Sequence, residues 1–385
     1  MSFLTNSAVN RVNLHYGVQA LAQGVGGVFF LVFLLRAGVP VPLVLGVQGA
    51  LSAQRFVLRP LVIPLVRRIG LRRTLITGAL LEALPLLLLP TVQGPDAALA
   101  VVALAAPVGS VLYWTCYHAY FASVGDAEHR GGQIGAREAL AALAGVVGPL
   151  AGAWALATGG PWLAFAGAAA LQVLAAVPLL GAPDVAVATE APGGFRAARL
   201  GALMLMTDGW LSACYFYVWQ IALFVTLRES YAAYGGAMAL SALAGAAGGL
   251  LLGGRIDAGH GRAAMSAAYA VVAGVVVLRA ASLGSPWLAV IANALGALVM
   301  ALQAPAMMTP VYNLAKASPC PLRFHIATEG GWDLGCASGC LAAAVIAGAG
   351  YSLAGAILLG LVAAVGAFAL LWRQYGAIAT RPAAG

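Results

Sequence analysis

Two carboxylates four residues apart, Glu329 and Asp333, sit inside an otherwise apolar stretch. On a helix that spacing places both on one face. A partly desolvated pair of this kind can carry a proton or hold a cationic partner. The cations on offer are arginines, since Lys316 is the single lysine among 20 basic residues. Asp208, in the run Leu203 to Trp210, is a third candidate for proton carriage or for meeting a cationic solute; a pair with Arg196 or Arg199 is the alternative. Glu82 reads as a buried protonated carboxyl or as the partner of a neighbouring arginine. Tyr113, Tyr117 and Tyr120 recur at i, i+4, i+7, and His118 follows Trp114 on an adjacent face. This cluster fits either a cavity lining or an interfacial aromatic belt. Gln19, Gln23, Tyr215, Gln220, Asn293 and Gln303 add amides and phenols. Such groups suit a cavity with apolar walls and a few polar anchors, made for an amphipathic organic molecule rather than a bare ion.

Other chemistries lack their residues. No G-x-x-x-x-G-K-[ST] loop, G-x-S-x-G elbow or H-E-x-x-H helix occurs in the sequence, so neither ATP-driven pumping nor hydrolysis is expected of this chain. Neither a cofactor nor a nucleic-acid partner is expected. The five cysteines are scattered, with no paired spacing outside apolar runs; Cys336 and Cys340 share a helix face and read as packing residues rather than metal ligands.

The elements holding these residues follow from composition. Of 385 residues, 62% are hydrophobic and 8% charged. A soluble domain carries about 25% charged residues, so the chain is a polytopic membrane protein. Its apolar runs are long and unalternated, which predicts helices rather than a barrel. Spans of about 20 residues fall near 15–36, 41–66, 74–92, 97–121, 137–157, 162–182, 200–227, 231–253, 263–283, 286–309, 326–347 and 350–372. The polar start, Met1 to Asn13, is not expected to act as a signal peptide, and the first helix is expected to stay in the membrane. With both termini cytoplasmic, fifteen basic residues fall on the cytoplasmic side and three (Arg36, Arg228, Arg279) on the other, with Arg55 and Arg59 inside the second span. The positive-inside rule therefore predicts cytoplasmic termini in a cell membrane, a bacterial inner membrane by expectation.

The polar break from Pro183 to Arg199 divides the chain into expected bundles 1–182 and 200–385, joined by a cytoplasmic linker, 183–199. Residue types also recur at a nearly constant offset of about 191: Gly17 with Gly209, Arg36 with Arg228, Arg72 with Arg262, Glu138 with Glu329 and Gly148 with Gly339. The loop after the second span holds Gly70, Arg72 and Arg73, with Ile63 and Arg67 where a glycine and an acid would complete G-x-x-x-D-R-x-G-R-R. The loop after the eighth holds Gly253, Asp257, Gly261 and Arg262, and the fifth span holds Gly148, Pro149 and Gly152.

On these features the chain resembles the major facilitator superfamily over essentially its whole length. The resemblance implies twelve helices in two pseudo-symmetric six-helix bundles, acting by alternating access as a secondary transporter of a small organic solute. A proton is the coupling ion it points to, carried by Asp208, Glu329 and Asp333, and a monomer in the lipid bilayer is expected. It also implies that spans 1, 4, 7 and 10 line a cavity and that span 2 packs on span 11. Arg55, Arg59, Arg67, Arg68 or Arg72 would then pair with Glu329 and Asp333, and Glu138 with Arg255 or Arg262 beside Asp257, in two crossed cytoplasmic gate locks. A translocase for lipids or drug-like amphiphiles, and a transport-inactive interaction or sensor protein, are the alternative readings.

Overall fold

The structure, a computed structural model, describes residues 6–124, 130–186, 190–256 and 261–379. All regular secondary structure among them is helical. It forms twelve rods: α1 (Ser7–Arg36), α2 (Val41–Ile69), α3 (Leu71–Thr91), α4 (Ala97–Val124), α5 (Arg130–Thr158), α6 (Gly160–Leu180), α7 (Arg199–Thr226), α8 (Tyr231–Ile256), α9 (Gly261–Ala281), α10 (Pro286–Lys316), α11 (Pro321–Gly348) and α12 (Leu353–Tyr375). Among the described residues, nine of them are long and apolar enough to cross a membrane. A helix satisfies its own backbone groups, as lipid requires. Asn6, at the start of α1, donates to the Val124 carbonyl at the end of α4 at 3.1 Å; that side is called here the terminal face, opposite the far face.

Several ends differ from expectation. The first helix starts at Ser7, well before residue 15, because Asn6 caps it through a 3.1 Å bond from the Val9 amide. The tenth runs on to Lys316, and the eleventh starts at Pro321, where proline at the first turn needs no amide donor. Outside the spans, Asp96 accepts from the Leu99 and Gln93 amides, which lowers its pKa. Inside them the helices break at 3₁₀ turns, Gly27–Phe29, Arg59–Leu61 and Leu89–Thr91, the latter two at Pro60 and Pro90. One π turn, Ala213–Val218, widens α7.

Packing repeats when every helix number is raised by six. The first helix packs on α5 and α6, and α7 on α11 and α12. Likewise α3–α4 matches α9–α10, and α2–α4 matches α8–α10. The bundles meet along α2–α11 and α5–α8, so the fold is two pseudo-symmetric six-helix bundles. The glycines that recur at the offset of about 191 occupy equivalent crossings. Gly24 and Gly148 bring α1 within backbone contact of α5, and Gly209, Gly331 and Gly335 bring α7 onto α11.

Candidate functional site

Between the bundles lies a cavity of 590 Å³. Its walls come from α1 to α5 on one side and from α7, α8 and α10 on the other. Leu31, Leu51, Leu86, Pro107 and Met238 supply apolar surface; Gln23, Gln48, Arg55, Glu82, Ser110, Tyr217, Gln220 and Ser241 supply the polar anchors. A smaller recess of 60 Å³ adjoins it, sharing Gln220, Met238, Ser241 and Ala297, and is further lined by Tyr215, Trp219, Arg279 and Asn293. Of the residues expected in a cavity, Gln23 and Gln220 line the main chamber, and Tyr215 and Asn293 the recess.

On the terminal side of this chamber, a charge cluster joins the bundles along α2 and α11. Arg55 Nε lies 2.8 Å from one oxygen of Asp333, and Arg59 Nε lies 2.5 Å from the other. A second nitrogen of Arg59 pairs with Glu329 Oε2 and donates to Thr115 Oγ1 of α4 at 2.8 Å. Asp333 is fully buried and Arg59 nearly so. The α2 break at Pro60 follows Arg59 directly. One buried oxygen of Glu329, Oε1, has no partner among the described residues. Nearby, the His118 ring of α4 stacks on His325 of α11 with centroids 6.1 Å apart. The i, i+4 carboxylates thus do hold arginines across the bundle boundary.

Among the described residues the other expected gate partners lie elsewhere. Arg67 is exposed and in no ion pair among the described residues. Arg72 instead donates to the carbonyls of Leu180 at 3.2 Å and Ala182 at 2.5 Å, at the end of α6. Arg262 does the equivalent in the second bundle, donating to the Trp372 carbonyl at 3.1 Å and lying 4.5 Å from that indole. Carbonyls at a helix C-terminus attract cations, which accounts for Arg72; both offset-related arginines act within their own bundle. Glu138 pairs with its neighbour Arg137. Asp257 and the Arg255 side chain lie outside the described residues.

Six residues expected in the cavity lie off its wall. His15 Nε2 meets the Tyr113 hydroxyl at 3.0 Å, inside the first bundle, and Tyr117 stacks on Tyr16 at 5.3 Å. Gln19 and Gln172 donate to Glu82, at 3.4 and 3.0 Å. His118 belongs to the histidine stack. Asp208 accepts from Gln303 at 3.0 Å and from Trp332, while Gln303 also reaches the Tyr269 hydroxyl at 3.2 Å. His118 apart, whose stack spans α4 and α11, these residues turn inward to each bundle's own core rather than to the chamber. Conversely, Glu82 is in no ion pair among the described residues and faces the chamber, whose wall it shares with Arg55. His15 was missed, although His15, Gln19 and Gln23 at i, i+4, i+8 mark one polar stripe. Arg279, counted among far-side loop charges, is 3% exposed within α9.

Residues 43–318 match the family model of the Major Facilitator Superfamily. The chain belongs to that superfamily, whose members are transporters. Among solved structures it is similar to the human organic anion transporter MFSD10 (TETRAN), at 18% identity and TM-score 0.69 over 95% of this chain and 99% of that one. It is similar to a POT family transporter in complex with 5-aminolevulinic acid, at 11% identity and TM-score 0.71, covering 96% of each chain. An auto-inhibited POT family peptide transporter gives 12% identity and TM-score 0.69, covering 97% of each. No curated protein matches the sequence.

Proposed function

We propose that this protein is a secondary transporter that moves a small amphipathic organic solute by rocking residues 1–182 against 200–385, with 183–199 as the linker. The observation carrying this reading is the buried cluster Arg55, Arg59, Glu329 and Asp333, which ties α2 to α11 beside a chamber lined by both bundles. A cluster of that kind is a two-state element. Formed, it closes the terminal side; broken, it lets the bundles part there. By the distribution of arginines the terminal face is cytoplasmic, and the protein acts as a monomer in a cell membrane, by expectation a bacterial inner membrane.

We assign coupling to protons. A proton on Asp333 or Glu329 removes the charge that holds Arg55 and Arg59, so protonation and opening are linked. The free oxygen of Glu329 can take that proton. Asp208 is held within one bundle by Gln303 and Trp332, so the chamber-side part once expected of it passes to Glu82. Both amide donors go to one oxygen of Glu82, Oε2, which leaves the other to take a proton from the chamber. The test is transport by purified protein in liposomes under an imposed pH gradient. Glu82→Gln is expected to lower gradient-driven uptake at least tenfold and to spare downhill exchange, whereas Asp208→Asn retains both. Equal loss of both activities in Glu82→Gln would remove it from coupling.

A further inference from the structure

Arg279 is a buried cation with no acidic partner among the described residues. Of its five N–H donors, one reaches an acceptor there: Nη1 donates to the Tyr215 carbonyl at 2.6 Å. Nε is buried and has no partner among the described residues. The guanidinium carbon lies 3.9 Å from the Tyr215 ring centroid and 4.8 Å from that of Trp219. Aromatic faces attract a cation but cannot accept its in-plane hydrogens. A charge within a membrane span is kept at a cost that calls for a function.

The surroundings are built to hold the group. The Tyr215 carbonyl lies inside the π turn Ala213–Val218, a rare irregularity that recurs at functional sites. The Tyr215 hydroxyl donates to the Gly296 carbonyl at 2.9 Å. Glycine at 296 leaves the space that Nη2 occupies, since an added Cβ would collide with it. Asn293 is fixed by the Trp219 indole at 3.0 Å and by its own bond to the Ala237 carbonyl at 3.0 Å. All of this surrounds the 60 Å³ recess, which opens beside the main chamber through shared wall residues.

We propose that the Arg279 recess is an anion subsite of the transported solute, which binds a carboxylate there while its apolar body lies in the 590 Å³ chamber. A guanidinium presents paired donors that match a carboxylate's two oxygens. The recess is too small for more than a headgroup, and the chamber beyond the shared wall offers apolar surface at Leu31, Leu51, Leu86 and Pro107. The inference builds on the transport reading and adds the chemical class of the solute.

The test measures binding rather than transport, so the two readings fail separately. Full-length protein in detergent is titrated with 4-phenylbutyrate and with its uncharged amide, and with octanoate and octanamide, following thermal stabilisation. Each carboxylate is expected to bind at least tenfold more tightly than its amide. Arg279→Gln is expected to erase that ratio, and Arg279→Lys to retain part of it. Because Arg279→Gln also removes the clamp on the π turn, a second variant, Met300→Glu, places a carboxylate in the recess. It is expected to fold, to melt at a higher temperature and to lose the preference. No preference in the native protein, or a preference that survives both Arg279→Gln and Met300→Glu, overturns the anion subsite. Transport of a neutral solute would still stand.

Discussion

Asp333 is the residue on which two arginines converge, and its chemistry sets what a single substitution should do. Asp333→Asn keeps the shape and removes the charge. Arg59 then keeps Glu329, while Arg55 loses the carboxylate it pairs with. Removing one partner of a buried pair costs about 3–5 kcal/mol, here charged against the closed state. The variant is expected to populate a form open on the terminal face. Cys116 is fully buried one residue from Thr115, a member of the network. With the other four cysteines replaced, its maleimide labelling should rise at least tenfold; an unchanged rate would mean that the cluster locks nothing. The sequence made this site partly legible. Four-residue spacing put Glu329 and Asp333 on one face, but the choice of Arg55 and Arg59 over Arg67 and Arg72 depended on how far each arginine sits from α11.

Helix crossings carry the next level of argument. Where α7 meets α11, a Cβ on Gly335 would press on the Met206 carbonyl and come within 2.9 Å of the Trp210 amide nitrogen. Backbone cannot yield as a side chain can, so Gly335→Ala should cost about 1–3 kcal/mol as overpacking. Gly274 has nothing within 4 Å of an added Cβ. Gly274→Ala should therefore leave the melting temperature unchanged while Gly335→Ala lowers it, and equal melting would refute the close crossing. The offset of about 191 between Gly17 and Gly209, and between Gly148 and Gly339, was visible in sequence and corresponds to repeated crossings. The facing of α4 was not. Tyr113, Tyr117 and Tyr120 do share a face, as their spacing says, yet that face meets α1 inside the first bundle, and Ser110 and Pro107 meet the chamber instead. Periodicity groups residues on a face without saying which neighbour the face will find.

At the scale of the molecule the two seams are unequal. The α2–α11 seam carries the ion pairs and a bond from Ser52 to Cys336 at 3.2 Å. Among the described residues the α5–α8 seam carries small-residue contacts, Gly145 toward Ala242 and Gly235 toward Ala153. The alternation of access should thus be governed mainly from the α2–α11 side. Cysteines at 118 and 325, in place of the stacked histidines, and in a background without native cysteines, should be joined by a short reducible crosslinker. Joining them is expected to reduce transport to background, and reduction to restore it. Full activity in the crosslinked protein would exclude separation of the bundles at that point.

Sequence alone determined the solvent, the elements and the duplication. An 8% share of charged residues cannot cover a surface in water, long apolar runs must close their own hydrogen bonds in lipid, and an ancestral repeat leaves its spacing in the chain. Tertiary structure alone decided which polar residues meet across the bundle boundary. It turned Asp208 and the tyrosines inward, brought Glu82 to the chamber and left Arg279 without a carboxylate among the described residues. Those outcomes depend on the rotation of each rod about its own axis, fixed by packing against partners distant in the chain, and no local spacing encodes that rotation.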